Sequence, residues 1–124
     1  MIFGIGTDIS QVSRFQKWVR SDNMISRFFN ENEIKAFKSE QVACEYYASR
    51  FAAKEAFGKA LGTGIFDFEL KDVFVTKDEL GKPALNVTGK ASELLKKRCG
   101  NCRIHISLSH EKEYAVAYVV IEKD

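Results

Sequence analysis

The stretch Gln41–Leu61 constrains the fold more than any other part of the sequence. It contains no proline, carries alanine at six positions and is followed by Gly62-Thr63-Gly64, a composition and an ending that predict one long helix. At about 100° per residue, Cys44, Ala48, Ala52, Glu55, Gly58, Lys59 and Gly62 fall on one side. That side is a stripe of small residues framing one glutamate and one lysine. Tyr46, Ala53, Phe57 and Leu61 occupy the opposite flank. A helix that is small or apolar nearly all round is a buried, central one, so the rest of the chain has to wrap it.

The remaining segments supply the wrapping. Residues 2–9 read as a strand with Phe3, Ile5, Thr7 and Ile9 on one face and Ile2, Gly4, Gly6 and Asp8 on the other. Two glycines weaken a strand unless a backbone or a ligand comes close to it. Val12, Phe15, Gln16 and Val19 have helical spacing. Asn30 and Glu33 form a capping-box pattern, with Ile34 and Phe37 marking a short helix after it. Residues 68–76 and 84–87 read as strands around the turn Asp78–Pro83. Thr88 is placed to cap a helix running to about Arg98, and Gly100 to end it. Residues 103–110 and 113–121 read as a hairpin around His110-Glu111-Lys112-Glu113. Strands grouped in the second half predict an α+β fold, a largely antiparallel sheet packed on the long helix. The 124 residues suit a single domain, 1–124.

Nineteen Lys and Arg against 17 Asp and Glu leave a net charge of +2, which gives no argument for a nucleic-acid partner. No apolar run reaches the roughly 18–20 residues that span a bilayer, and Met1–Ile9 lacks the features of a signal peptide. A cytoplasmic location is expected, and the three cysteines are expected to be reduced thiols. Cys99-Gly-Asn-Cys102 with His105 lacks a fourth ligand for a closed zinc site, and reads as a loop with buried or half-buried thiols. Residues 10–29 carry Arg14, Lys17, Arg20 and Arg27 against Asp22 alone. Such a segment is either a solvated helix face or a docking surface for an acidic partner.

Chemistry concentrates around Glu55. A buried glutamate is costly unless paired or bound to a metal, and the small residues around it let something approach. The Gly4/Gly6 face of the first strand is the candidate, and packing the two bare surfaces would bring Asp8 to Glu55. Two such carboxylates suit a hard divalent cation such as Mg2+. The competing reading pairs Glu55 with Lys59 at i,i+4 on a wet surface. Lys59, with Arg50 and Lys54 on an adjoining flank, supplies cations of the kind a phosphate-bearing substrate needs; solubilising charge is the other reading, more so for Lys54. His110 stands at a strand end beside Ser107 and Ser109, either structural or in contact with a ligand.

Four blocks together resemble a known family: Gly4-Ile5-Gly6-Thr7-Asp8-Ile9; Arg50 through Gly64, read as Arg-Phe-Ala-Ala-Lys-Glu-Ala-Phe-Gly-Lys-Ala-Leu-Gly-Thr-Gly; Gly81-Lys82-Pro83; and Ser107-Leu108-Ser109-His110. In order and spacing they are similar to holo-acyl-carrier-protein synthases, the short bacterial class of 4'-phosphopantetheinyl transferases. The resemblance runs from Met1 to about Ile121, and its Arg50–Gly64 block is highly specific.

The resemblance implies transfer of phosphopantetheine from coenzyme A to a serine of acyl carrier protein, with release of adenosine 3',5'-bisphosphate. The family's metal-binding carboxylates fall on Asp8 and Glu55, and its coenzyme A contacts on Arg50, Lys59, Gly62, Pro83 and His110. Its carrier-protein surface falls on the first helix, where Arg14 matches and Lys17 and Arg20 are additions. The resemblance also implies a homotrimer with each active site between two subunits. Gly58 departs from the serine common in the family, which puts a hydroxyl contact to the cofactor in doubt, and Phe66-Asp67-Phe68 has no assigned place. Mg2+ on Asp8 and Glu55 would hold the pyrophosphate and Lys59 would stabilise its developing charge. Glu55, a metal-bound water or His110 could take the serine's proton. Two other functions stay open: a non-catalytic module for an acidic partner, which leaves Asp8, Glu55 and Lys59 unexplained, and a metal-dependent phosphohydrolase.

Overall fold

A computed structural model describes all residues, Met1–Asp124. Strand β1 (Ile2–Gln11) leads through a 3-10 turn into two short helices, α1 (Gln16–Val19) and α2 (Asp22–Phe28). The long helix α3 follows (Glu40–Leu61), then β2 (Val73–Lys77), β3 (Pro83–Val87), α4 (Gly89–Cys99), β4 (Cys102–His110) and β5 (Tyr114–Lys123). All strand pairing is antiparallel, in two sheets: β1-β5-β4, and β2 with β3. The expected α+β fold on a central helix is what forms, with the sheet divided in two.

Helix α3 begins where the Ser39 hydroxyl accepts from the Val42 N–H and ends on Gly62 in the left-handed region. Fifteen of its 22 residues are buried, so it takes contacts on every side. Its N-terminal half packs with Val12, Phe15, Ile25 and Phe29. The C-terminal half packs with Val73, Val75, Leu85, Leu95, Val119 and Ile121. The register of β1 on β5 sets Asp8 opposite Ala117, and the glycine face of β1 lies directly on α3. A Cβ on Gly4 would meet the Ala60 carbonyl oxygen, and one on Gly6 the Ala56 carbonyl oxygen. Only glycine permits that approach.

Three local expectations are corrected. The Asn30/Glu33 capping box forms, but it opens only a 3-10 turn, Glu31–Glu33, and Ile34 is already extended. Glu33 is drawn into the core instead, and a helix this short gains too little from its own hydrogen bonds to hold it. The strand expected over 68–76 starts at Val73, because Val87 is the last residue of β3 available to pair with it; Phe68 turns inward onto the Phe57 ring, 5.5 Å between centroids. Thr88 precedes α4 without capping it; its hydroxyl donates to Asp72 Oδ1 at 3.4 Å.

Candidate active site

Asp8 and Glu55 come together at the junction of β1 and α3. Asp8 Oδ2 accepts from the Ser10 hydroxyl at 3.3 Å. Lys59, one turn beyond Glu55, donates to the Thr7 carbonyl at 3.0 Å and lies 3.4 Å from Asp8 Oδ1. Asp8 is 13% exposed and Lys59 54%, so the carboxylate is recessed while the ammonium faces water. Burial pushes the pKa of Glu55 up, and the Asp8 carboxylate pushes it further; Arg14 and Lys59 oppose the rise. Lys59 turns to the Thr7 carbonyl and Asp8 instead of forming an i,i+4 ion pair with Glu55. Two crowded carboxylates with an open side fit a hard cation whose remaining ligands are water and phosphate oxygens. No group of three or more His, Cys, Asp or Glu gathers anywhere in the chain.

Arg14, read from sequence as part of a docking helix, lies in the 3-10 turn after β1. Its guanidinium stacks 5.3 Å from the Phe51 ring centroid and 5.7 Å from that of Phe15, close enough to Glu55 to affect its ionisation. Lys17 is exposed on α1. Arg20 follows α1 and binds Glu40 through two hydrogen bonds, Nε to Oε1 at 2.7 Å and Nη2 to Oε2 at 3.0 Å.

Gly62 ends α3 with φ of 89°. The N–H groups of Gly62, Thr63 and Gly64 all donate to the Gly58 carbonyl, at 3.0, 3.2 and 3.0 Å. This coil returns Gly64 onto the helix, where a Cβ on Gly58 would lie 2.7 Å from its backbone. Gly58 therefore has a packing reason of its own: a serine there requires the turn to shift. Phe66, just beyond, is 91% exposed, whereas Phe68 is buried.

Arg50 and His110 make no hydrogen bond to Asp8, Glu55 or Lys59. Arg50 is 8% exposed, with its Cζ 3.9 Å from the Tyr46 ring centroid. Its Nη1 donates to Ser49 Oγ at 2.9 Å, and its Nε has no hydrogen-bond partner. Burial lowers its pKa, opposed by Tyr46 and Glu33. His110, the last residue of β4, holds Glu45 Oε1 at 3.0 Å through Nδ1. Glu45 and Glu55 are about 15 Å apart along the helix axis at 1.5 Å per residue. No hydrogen bond or ion pair joins Arg50, His110 or Pro83 to Asp8, Glu55 or Lys59. Pro83 opens β3 opposite Lys77.

Lys54 is neither a solubilising charge nor a phosphate contact. It is fully buried and donates to Glu33 Oε1 at 2.7 Å and to the Val73 carbonyl. Glu33 in turn accepts from the Asn30 and Val75 N–H groups. Sequence reasoning saw Glu33 only as a cap, and Glu45 not at all; a glutamate's partner from another element leaves no trace in local spacing. The cysteines are free. Cys99 ends α4 and Cys102 opens β4. Burial and the neighbouring Cys99 thiol push the Cys102 pKa to about 11. His105 alternates to the opposite face of β4 from Cys102 and contacts Glu122 at 2.9 Å, which dissolves the metal-ligand pattern.

The model of the 4'-phosphopantetheinyl transferase superfamily that describes these synthases matches residues 4–119. A holo-[acyl-carrier-protein] synthase of Treponema denticola is 49% identical over 123 residues, 98% of this chain and 99% of the relative. One of Clostridium novyi is 44% identical over 125 residues, covering 100% and 90%. Among solved structures, the Neisseria meningitidis synthase superposes with a TM-score of 0.86 at 35% identity, covering 99% of this chain and 100% of that one. The Bacillus anthracis synthase, in complex with CoA (3',5'-ADP), gives 0.79 at 37% identity, covering 100% and 99%. Sequence and fold agree, and the chain belongs to the holo-[acyl-carrier-protein] synthases of the 4'-phosphopantetheinyl transferase superfamily.

Proposed function

We propose that residues 1–124 act as one transferase domain that moves 4'-phosphopantetheine from coenzyme A to a serine of apo acyl carrier protein, with Mg2+, in the cytoplasm. The observation that carries this reading is the approach of Asp8 to Glu55 across the glycine face of β1, with Lys59 against both Asp8 and the strand backbone. Coenzyme A is the ligand named for the Bacillus anthracis relative.

Asp8 and Glu55 would hold the Mg2+, which when bound neutralises charge on the pyrophosphate. Lys59 keeps its ammonium beside that position and meets the negative charge that builds as the pyrophosphate bond breaks. The serine oxygen bonds to the phosphorus bearing pantetheine, and adenosine 3',5'-bisphosphate leaves with the former bridging oxygen. Glu55 and a neighbouring subunit's His110 are the two side chains of the assembled site that can take the serine's proton. Arg14, stacked beside Glu55, together with Lys17 and Arg20, would steer an acidic carrier to the site.

Arg50, Pro83 and His110 are assigned to coenzyme A, and they act from a neighbouring subunit of a trimer. The hold of Glu45 on His110, about 15 Å along the helix axis from Glu55, supports that arrangement. So does the uncovered face of the β1-β5-β4 sheet, where Ile5, Ile9, Tyr114, Val116 and Tyr118 are exposed.

Incubation with coenzyme A, Mg2+ and apo carrier tests the function. A carrier mass gain of one phosphopantetheine is expected. Free phosphopantetheine released without a carrier would indicate a phosphohydrolase, and no change would indicate a binding module.

A further inference from the structure

We propose that Glu45 is a positioning residue for coenzyme A binding, acting through His110; this rests on the reading of His110 as a coenzyme A contact. His110 meets Glu45 Oε1 through Nδ1 at 3.0 Å. The other carboxylate oxygen is not free: Gln41 Nε2 donates to Glu45 Oε2 at 2.8 Å and to the Lys112 carbonyl at 3.1 Å. Gln41 therefore ties the carboxylate to the loop that follows β4. At 19% exposure, Glu45 is the sheltered partner and His110, at 49%, the open one.

The chemistry follows from donor and acceptor types. A carboxylate only accepts, so the Nδ1 facing Glu45 carries the hydrogen. That assigns the tautomer of the neutral ring and leaves Nε2, which makes no hydrogen bond within the chain, as the nitrogen presented outward. An imidazole fixed in this way meets a ligand with one chosen nitrogen. When it takes up a second proton, Glu45 balances the charge while Nε2–H donates to an anion. The ligand chemistry this suits is a phosphate group of coenzyme A. Arg50, stacked on the Tyr46 ring, keeps a buried Nε without a partner.

The test combines steady-state kinetics with long-range proton–nitrogen NMR of the His110 ring in the intact protein. Wild type is expected to show a hydrogen on Nδ1 of His110. Glu45→Ala should shift the ring toward the Nε2–H tautomer and raise KM for coenzyme A about tenfold, the low end of what losing an orienting partner costs a metal-binding histidine, with kcat nearly unchanged. Glu45→Gln, which keeps an acceptor for Nδ1, should recover most of both. If Glu45→Ala fails to fold by circular dichroism, Gln41→Ala loosens the carboxylate and should move the same two readouts in the same direction. A KM unchanged in Glu45→Ala but raised in His110→Ala overturns the positioning role and leaves His110 as a contact. A KM unchanged in His110→Ala overturns the contact itself, and the positioning role with it.

Discussion

Asp8 and Glu55 each make the other's charge costly, and that cost is the basis of a prediction. Because the folded chain raises the pKa of Glu55, stability is fullest while Glu55 is protonated and is lost as pH rises through its folded value. Glu55→Gln is therefore expected to raise the Tm of the metal-free protein at neutral pH, and to lower transfer by about 10²–10³, the usual cost of losing one such electrostatic contact. Asp8→Ala should show a similar loss of transfer, partly recovered at high Mg2+ or with Mn2+. Near-normal turnover of both variants without added metal would refute the site. Lys54 behaves in the opposite sense. It is sealed from water with Glu33, so Lys54→Ala leaves a buried carboxylate without its cation. A loss of about 3–5 kcal/mol in urea unfolding is expected. A solubilising surface lysine would change stability by no more than about 0.5 kcal/mol, so the measurement separates the two roles.

At the level of elements, the contact of β1 with α3 is both structural and functional. The bare edge of the strand lets the helix backbone come within touching distance, and the same contact sets Asp8 beside Glu55. Gly6→Ala would place a methyl on the Ala56 carbonyl oxygen and 2.7 Å from the Ala60 nitrogen. The strand must then lift. A destabilisation of about 1–3 kcal/mol is expected from the overpacking, and the transfer rate per folded molecule should fall as Asp8 moves away. Calorimetry and single-turnover transfer report the two effects separately; an unchanged rate would mean that Asp8 does not depend on this contact. Much of this was legible beforehand. The two glycines on one strand face and the small-residue stripe on a helix pointed to this packing, while spacing alone left a Glu55–Lys59 pair equally open. The failed helix after Asn30 was not legible, since its outcome turned on Lys54 from an element far along the chain.

For the whole molecule, the sheet has one face on α3 and one face open. Ile5 is 57%, Ile9 63% and Tyr118 45% exposed on that open face. Contiguous apolar surface of this kind marks an interaction site, and the trimer proposed above would cover it. Ile9→Lys with Tyr118→Lys is expected to dissociate the assembly in light scattering and to abolish most transfer, with the circular dichroism spectrum retained. A monomer that remained fully active would remove the intersubunit site. No helix is long and apolar enough to cross a membrane.

The sequence by itself determined the long central helix and the hairpin of β4 and β5, and its resemblance to a family named the family; it left the approach of Asp8 to Glu55 open beside a Glu55–Lys59 pair. Each of the first two depends on local spacing. Tertiary structure alone decided the burial of Lys54 on Glu33, the hold of Glu45 on His110 and the packing of Arg50 on Tyr46. The physical reason is the same for all three. A charged side chain is flexible and its preferred partner is whichever opposite charge or acceptor the packed chain leaves within about 3 Å, and that distance is set by the sum of many apolar contacts rather than by the residues that meet.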